Sequence, residues 1–255
     1  LESNDLVHGP IEVLITIDEE TGMTGARALK PGVLNGDILI NLDSETEGEL
    51  YVGCAGGLDG SAVFQYTTEA VPAGYVGQKL NVKGLVGGHS GMDIILYRAN
   101  ANKVMARALL PLVRDLGAKL LSVEGGNMRN AIPREAEAVI ALPADKLEAA
   151  KAAVAKVEAE VKVEYAATDK DAKVFLEDAA VAGEAICDKV ALALCRAMYA
   201  CPNGVERMSD AMPGLVETSN NMAIVKSHGI SPSSSKKNEE LKYVDCSDCA
   251  GKTLL

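Results

Sequence analysis

The chain has 255 residues, 48% of them hydrophobic and 24% charged, with a formal net charge of −11. This length allows a sizeable core, and the composition is typical of a globular protein in water. The negative charge argues against nucleic acid as a partner, because phosphate contacts need clustered Lys and Arg. No apolar run reaches the roughly 20 residues needed to cross a bilayer, so no membrane segment is expected.

Cysteine usage favours reduced thiols in a cytoplasmic protein. The six cysteines are irregularly spaced, which argues against a disulfide framework in a chain of this length. The first ten residues carry acids but no basic region, so they do not match a signal peptide.

Two compact apolar runs near the start are typical of buried parallel strands. They are residues 10–17 (PIEVLITI) and 37–42 (DILINL), and a short helix is predicted between them at 22–29. Both runs end in acidic residues, and sites in open α/β sheets form beyond the carboxyl ends of the strands. With a further strand at 49–54, residues 1–56 are predicted to be part of an α/β domain.

From residue 57 to about 228 the pattern changes to that of an α+β layer, with helices on one face of a sheet. The strongest helical signal is the Ala-rich stretch 145–161, where Leu and Val recur at helical spacing. The other segments are strands at 61–68, 78–85, 119–123, 136–142, 162–165, 173–177 and 215–226, and helices at 100–116 and 183–200. Residues 229–255 include a Ser- and Lys-rich stretch without periodicity, which predicts a divergent tail that is either poorly ordered or foreign to the fold.

Acidic residues follow both of the first two predicted strands. Asp18, Glu19 and Glu20 are consecutive, and Asp43 ends the second strand. Adjacent carboxylates repel, so such a group costs stability unless a cation is present. If the two strands are neighbours, Glu20 and Asp43 meet at one sheet edge and can hold a divalent cation. The alternatives are a solvated acidic loop for the triplet and a loop or capping role for Asp43.

Two polar residues lie in Gly-rich settings. His89 is part of GGHSG (87–91), and Asn130 ends GGNMRN (125–130). Glycines let the backbone approach a ligand closely or adopt positive φ, so His89 is a candidate functional residue, with a surface turn as the alternative. On its pattern alone, Asn130 is a turn residue. Neither glycine pair belongs to a phosphate-binding loop, because the G-x-x-x-x-G-K-[ST] pattern is absent.

Five motifs, in order, resemble the aminoacyl-histidine dipeptidases, bacterial cytosolic enzymes of the co-catalytic zinc peptidases related to carnosinase and aminoacylase. The motifs are HGPIEVLITIDEETGMTGA, DILINLDSETEGELYVGCAGG, GLVGGHSGMDI, GGNMRNAIP and GLVETSNN. The resemblance runs from residue 1 to about 228 without large gaps. It implies an α/β fold, in which a partial catalytic α/β domain (1–56) precedes an α+β two-layer lid and dimerisation domain (57–228).

The resemblance also implies functional roles. Glu19 would be the general base, and Glu20 and Asp43 would each bind one of two zinc ions. His89 and Asn130 would be lid residues that reach the substrate, where an imidazole can stabilise the tetrahedral oxyanion. The implied substrates are small dipeptides, Xaa-His among them, and the implied assembly is a homodimer formed through the lid.

The sequence departs from the family at its ends. The family's H-x-D segment, metal-bridging Asp and final His ligand have no counterpart here. Of the expected zinc ligands only Glu20 and Asp43 are present, so we predict that this chain is a fragment of a zinc dipeptidase and is inactive alone. The alternatives are a non-catalytic dimerisation module and a related metal-dependent amidase or deacylase.

Overall fold

The structure, a computed structural model, describes residues 5–19, 23–43, 47–49, 51 and 53–227, with the backbone of 239–243 and 246–247. The chain divides into two units, unit 1 (Leu1–Val52) and unit 2 (Gly53–Leu255). The domain limits predicted from the sequence, after residues 56 and 228, stay predictions. Within the described part of the chain, no helix is long and apolar enough to cross a membrane.

The described residues of unit 1 form a short helix, α1 (Thr24–Arg27), inside the range predicted as helix. The strands predicted over 10–17, over 37–42 and in the described part of 49–54 are wrong, because none of these residues pairs in a ladder. Their apolar side chains are largely exposed, at 86% for Ile15 and 84% for Ile38. A parallel strand becomes buried only between neighbouring strands and covering helices, and the described residues of unit 1 provide neither.

The Glu12 carboxylate connects the first apolar segment of unit 1 with the residues just before the second. Glu12 accepts hydrogen bonds from the side-chain amide of Asn35 (2.7 Å) and from the backbone N–H groups of Asn35 (2.7 Å) and Gly36 (3.2 Å). These bonds favour the charged carboxylate. The Asn35 side chain, followed by the Asn35 backbone, therefore lowers the pKa of Glu12 below its ordinary 4.5.

We expect this connection to weaken in acid. The pKa of Glu12 is lower in the folded than in the unfolded chain, so its stabilising contribution is present above the unfolded pKa. That contribution is lost as the pH falls below 4.5 through the folded pKa. The amide NMR signals of Asn35, followed between pH 6 and pH 2, measure this loss. Glu12→Gln should abolish the pH-dependent change in the Asn35 signals, and Glu47→Gln should leave that change in place. An unchanged pH dependence in Glu12→Gln would contradict the assignment of this change to Glu12.

Unit 2 is built on an antiparallel sheet. Its described strands are β1 (Ala62–Tyr66), β2 (Thr68–Glu69), β3 (Tyr75–Lys83), β4 (Gly88–His89), β5 (Lys119–Gly125), β6 (Ala131–Ile132), β7 (Ala136–Pro143), β8 (Lys173–Asp178), β9 (Ala185–Ile186), β10 (Gly204–Met208), β11 (Val216–Met222), β12 (Val225–Lys226), β13 (Glu239–Tyr243) and β14 (Cys246–Ser247). Among them, seven form one sheet in the order β1-β13-β12-β5-β7-β3-β8, and each neighbouring pair is antiparallel. The smaller sheets are β10-β11-β14, β2-β9 and β4-β6.

The tail predicted to be poorly ordered contributes two of these strands. β13 pairs with β1 and β12, and β14 pairs with β11. The rest of that tail lies outside the described residues.

Three helices pack on the seven-stranded sheet: α2 (Ala101–Asp115), α3 (Leu147–Glu164) and α4 (Asp188–Ala200). Helix α2 contacts both other helices and the strands β3, β5 and β7. The helices and the sheet share one apolar cluster, whose largest fully buried side chains are Leu80, Met105, Leu109, Leu112, Leu120, Ile140, Leu142, Ile186, Leu194, Met198 and Met222. The predicted α+β layer is therefore confirmed for this unit.

Two predicted boundaries in unit 2 are wrong. The strand predicted at 162–165 is the last turn of α3, because buried side chains continue at helical spacing from Ala150 through Val154 and Val157 to Val161. The helix predicted from residue 183 begins only at Asp188, because residues 185–186 form β9 and pair with β2.

Candidate functional site

The site begins with the short ladder between β4 and β6. His89 pairs with Ala131 across this ladder, and the backbone N–H of Ser90 donates to the carbonyl of Asn130 at 2.9 Å. Although 41 positions separate them in the sequence, His89 and Asn130 are thus neighbours on one surface of unit 2. The His89 side chain is exposed and Asn130 is half-buried.

The imidazole of His89 is held by its own loop. Its Nδ1 accepts the backbone N–H groups of Gly91 (3.1 Å) and Met92 (3.2 Å). A Cβ on residue 91 would lie 3.2 Å from the ring, closer than an ordinary van der Waals contact, so glycine relieves crowding at this position. The exposed ring keeps Nε2 available to a ligand.

Asp93 and Arg98 hold the backbone of the same loop. Asp93 Oδ2 accepts the backbone N–H of His89 at 2.8 Å. Arg98 Nη1 lies 3.4 Å from that oxygen and donates to the carbonyl of Gly87 at 2.6 Å. Gly88, with φ of 145°, passes so close that a Cβ there would lie 2.5 Å from both the carboxylate and the guanidinium. This position therefore requires glycine.

A buried pair of asparagines holds the other strand of the ladder. Asn221 Nδ2 donates to the carbonyl of Ala131 at 2.8 Å, and Asn221 Oδ1 accepts from Asn100 Nδ2 at 3.1 Å. Both amides are essentially fully buried, where such groups are stable when they are hydrogen-bonded. Sequence reasoning singled out neither of them, nor Asp93 or Arg98, although Asn221 lies in the motif GLVETSNN.

A cavity of about 860 Å³ lies against the ladder, with Gly88, Ala131 and Ile132 in its wall. This volume is in the range of small-molecule sites. Its lining includes charged residues of both signs, namely Lys83, Glu124, Arg134, Glu135 and Glu137. A zwitterionic molecule can therefore find complementary charges there.

The predicted acidic site residues belong to unit 1. Glu19 and Asp43 are exposed, and Glu20 lies outside the described residues. Asp18 has φ of 62° and closes a turn into α1. Its carbonyl accepts from the Met23 N–H at 2.6 Å, and its Oδ2 accepts from the Thr24 hydroxyl at 2.8 Å, so Asp18 has a structural role.

The described residues do not by themselves form the two-zinc site that the resemblance implies. Among them, no three His, Cys, Asp or Glu side chains lie close enough together to hold one metal ion. Zinc in proteins takes three or four side-chain ligands. Of the two ligands predicted here, Asp43 is described and Glu20 lies outside the described residues.

The chain has clear relatives among known proteins. The peptidase dimerisation domain family matches residues 80–169. Over 225 residues the chain is 45% identical to the cytosol non-specific dipeptidase of Escherichia coli (strain K12), covering 88% of this chain and 46% of that protein. The crystal structure of aminoacylhistidine dipeptidase from Vibrio alginolyticus matches with a TM-score of 0.77 at 42% identity, covering 96% of this chain and 48% of that one.

This chain therefore spans about half the length of these two relatives. The matches confirm the family resemblance and the mixed α/β fold class with a dimerisation domain. The chain is thus similar to two dipeptidases over about half of their length, and its residues 80–169 match the peptidase dimerisation domain family.

Proposed function

We propose that this chain is part of a cytoplasmic dipeptidase that hydrolyses Xaa-His and similar dipeptides. The observation that carries the proposal is the bond from the Ser90 N–H to the Asn130 carbonyl, 2.9 Å long. It places side by side the two residues that the resemblance assigns to the substrate. The names of both relatives, which are dipeptidases, support the same activity.

In this proposal His89 stabilises charge on the substrate. Attack on a peptide carbonyl converts its oxygen into an oxyanion, and a donor already in position stabilises that charge without reorganising. His89 Nε2 is such a donor on an exposed ring, and Asn130 contacts the substrate beside it. The neighbouring cavity, with Lys83 and Arg134 as well as acidic groups in its lining, is suited to the charged ends of a dipeptide.

The proposed general base and zinc ligands belong to unit 1. Glu19 is the proposed general base, and Glu20 and Asp43 are proposed as one ligand for each of two zinc ions. Since the described residues do not form a complete metal site, we propose that the other ligands belong to parts of the full-length protein outside this chain. This chain alone should then be inactive and should not take up zinc stoichiometrically. A zinc titration of the purified chain tests this, and tight uptake of two zinc ions would contradict it.

We propose that the lid, residues 57–228, forms a homodimer. The match of residues 80–169 to a peptidase dimerisation domain supports this assembly. Sedimentation equilibrium of this chain tests it, with a dimer as the expected result and a monomer at all concentrations as the contrary one.

A non-catalytic dimerisation module is the second candidate function. It is favoured by the observation that unit 2 has its own sheet and apolar cluster. Such a module predicts the same dimer but no hydrolysis by the full-length protein, so dipeptide hydrolysis separates the two candidates.

A related amidase or deacylase is the third candidate, and a substrate panel separates it from a dipeptidase. We expect the full-length protein to show a higher kcat/KM for Xaa-His dipeptides than for N-acyl amino acids. The reverse order would favour the deacylase.

A further inference from the structure

We infer that the loop 87–93, held by Asp93 and Arg98, fixes His89 as the neutral tautomer that carries its proton on Nε2. Asp93 and Arg98 are then positioning residues for the proposed reaction. This inference rests on the proposed function for its catalytic meaning, but the tautomer itself is a property of this chain that is measurable without substrate.

The two backbone bonds to the ring determine the tautomer. A neutral imidazole has one nitrogen that donates and one that accepts. Backbone N–H groups can only donate, and those of Gly91 and Met92 lie 3.1 Å and 3.2 Å from His89 Nδ1. Nδ1 is therefore the acceptor, and the proton lies on Nε2. A proton on Nδ1 would face both N–H groups and deprive them of their acceptor.

Asp93 closes the turn that aims these N–H groups at the ring. His89 donates its backbone N–H to Asp93 Oδ2 at 2.8 Å, and Asp93 donates its backbone N–H to the His89 carbonyl at 2.9 Å. This reciprocal pair joins the first and last residues of the segment 89–93. The amides of Gly91 and Met92 lie between them and are thereby held close to Nδ1.

Arg98 fixes the carboxylate from the other side. Its Nη1 lies 3.4 Å from Asp93 Oδ2 and bonds the carbonyl of Gly87 at 2.6 Å, so one guanidinium connects both ends of the loop. The bond from Ser90 to the Asn130 carbonyl holds the middle of the loop against β6. The outcome is a donor with fixed direction, and such preorganisation is what oxyanion stabilisation requires.

Nitrogen NMR of the full 255-residue chain tests the tautomer. The chain has three histidines, and comparison with His89→Gln assigns the signals of His89. At pH 8, where imidazoles are mostly neutral, we expect an unprotonated shift for His89 Nδ1 and a protonated shift for Nε2. His8 is an internal contrast, because its Nδ1 lies 2.7 Å from the Gly9 carbonyl and must donate. Equal averaging of the two His89 nitrogens, or a proton on Nδ1, would overturn the inference.

Variants of Asp93 test the positioning role. Asp93→Ala should bring the two His89 nitrogen shifts toward a common average, and Asp93→Asn, which keeps an acceptor oxygen, should retain most of their separation. Asp145→Ala, which removes an exposed acid elsewhere in unit 2, should leave the His89 signals unchanged. A folded Asp93→Ala chain with the wild-type tautomer would exclude the role of Asp93. If this variant does not fold, the wild-type spectrum still tests the tautomer, and Arg98→Lys still tests whether the Asp93–Arg98 pair holds it.

Kinetics separate this inference from the proposed function. In the full-length protein, Asp93→Ala should lower kcat roughly tenfold with little change in KM, because it disturbs an interaction made in the transition state. An Nε2–H tautomer together with no dipeptide hydrolysis would refute the proposed function and leave the tautomer standing. Dipeptide hydrolysis together with a proton on His89 Nδ1 would refute the tautomer and leave the proposed function standing.

Discussion

Replacing His89 with alanine should lower kcat for an Xaa-His dipeptide by about 10²–10³-fold in the full-length protein, the usual loss when one oxyanion donor is removed. KM should change little, since the interaction develops mainly as the carbonyl oxygen acquires charge. Initial rates at saturating and at low dipeptide concentration measure both quantities.

The matched control for this variant is His8→Ala. His8 is also an exposed histidine, and its ring contacts the carbonyl of Gly9. Its loss should leave kcat within twofold. Equal losses for the two variants, or a large rise in KM alone for His89→Ala, would argue against His89 as the oxyanion donor.

Val161→Ala should lower the free energy of unfolding of this chain by about 2 kcal/mol, because a fully buried side chain loses two methyl groups and leaves a cavity. Val161 is 0% exposed in α3, and Val163 on the same helix is 80% exposed. Val163→Ala should therefore stay within about 0.5 kcal/mol of the wild type. Urea unfolding followed by circular dichroism measures both differences.

This pair also tests the corrected boundary of α3. Residues two apart share one face of a strand but lie on nearly opposite sides of a helix. A strand at 162–165 extended back to Val161 would give the two valines similar burial. Similar losses of stability in Val161→Ala and Val163→Ala would therefore contradict the helix.

Unit 2 was largely predictable because its signals are local. The helices α2 and α3 follow from apolar residues at helical spacing, and the strands β3, β5 and β7 follow from short apolar runs between turns. The error at 162–165 arose because Val and Tyr favour strands, although the buried positions of α3 continue at helical spacing to Val161. Tertiary packing overrode the local strand preference of these residues, and the helix continued.

Unit 1 shows where local reasoning fails. Residues 10–17 and 37–42 have the composition of buried parallel strands, yet in the described structure they pair with nothing and their apolar side chains are exposed. A strand forms only by pairing with another strand, and the partner can be distant in sequence. The contact of Glu12 with Asn35 and Gly36 had no sequence signal, because any of several nearby acids could have made it.

The candidate site was predictable as a set of residues but not as an arrangement. His89 was a candidate functional residue because of the glycines around it, and Asn130 became a candidate through the family resemblance. Their proximity depends on β4 and β6, which have two residues each and are too short to give a periodic pattern. Asp93 and Arg98 look like ordinary surface charges in the sequence, and only the close passage of Gly88 beside them shows that they hold the His89 loop.

The proposed function is tested most directly by hydrolysis of an Xaa-His dipeptide by the full-length protein and by this chain, each with and without a metal chelator. We expect hydrolysis by the full-length protein, its loss with chelator and its return when zinc is added. We expect no hydrolysis by the chain alone. Hydrolysis that survives the chelator would contradict the proposed metal-dependent mechanism, and full activity in this chain would contradict the proposal that further zinc ligands lie outside it.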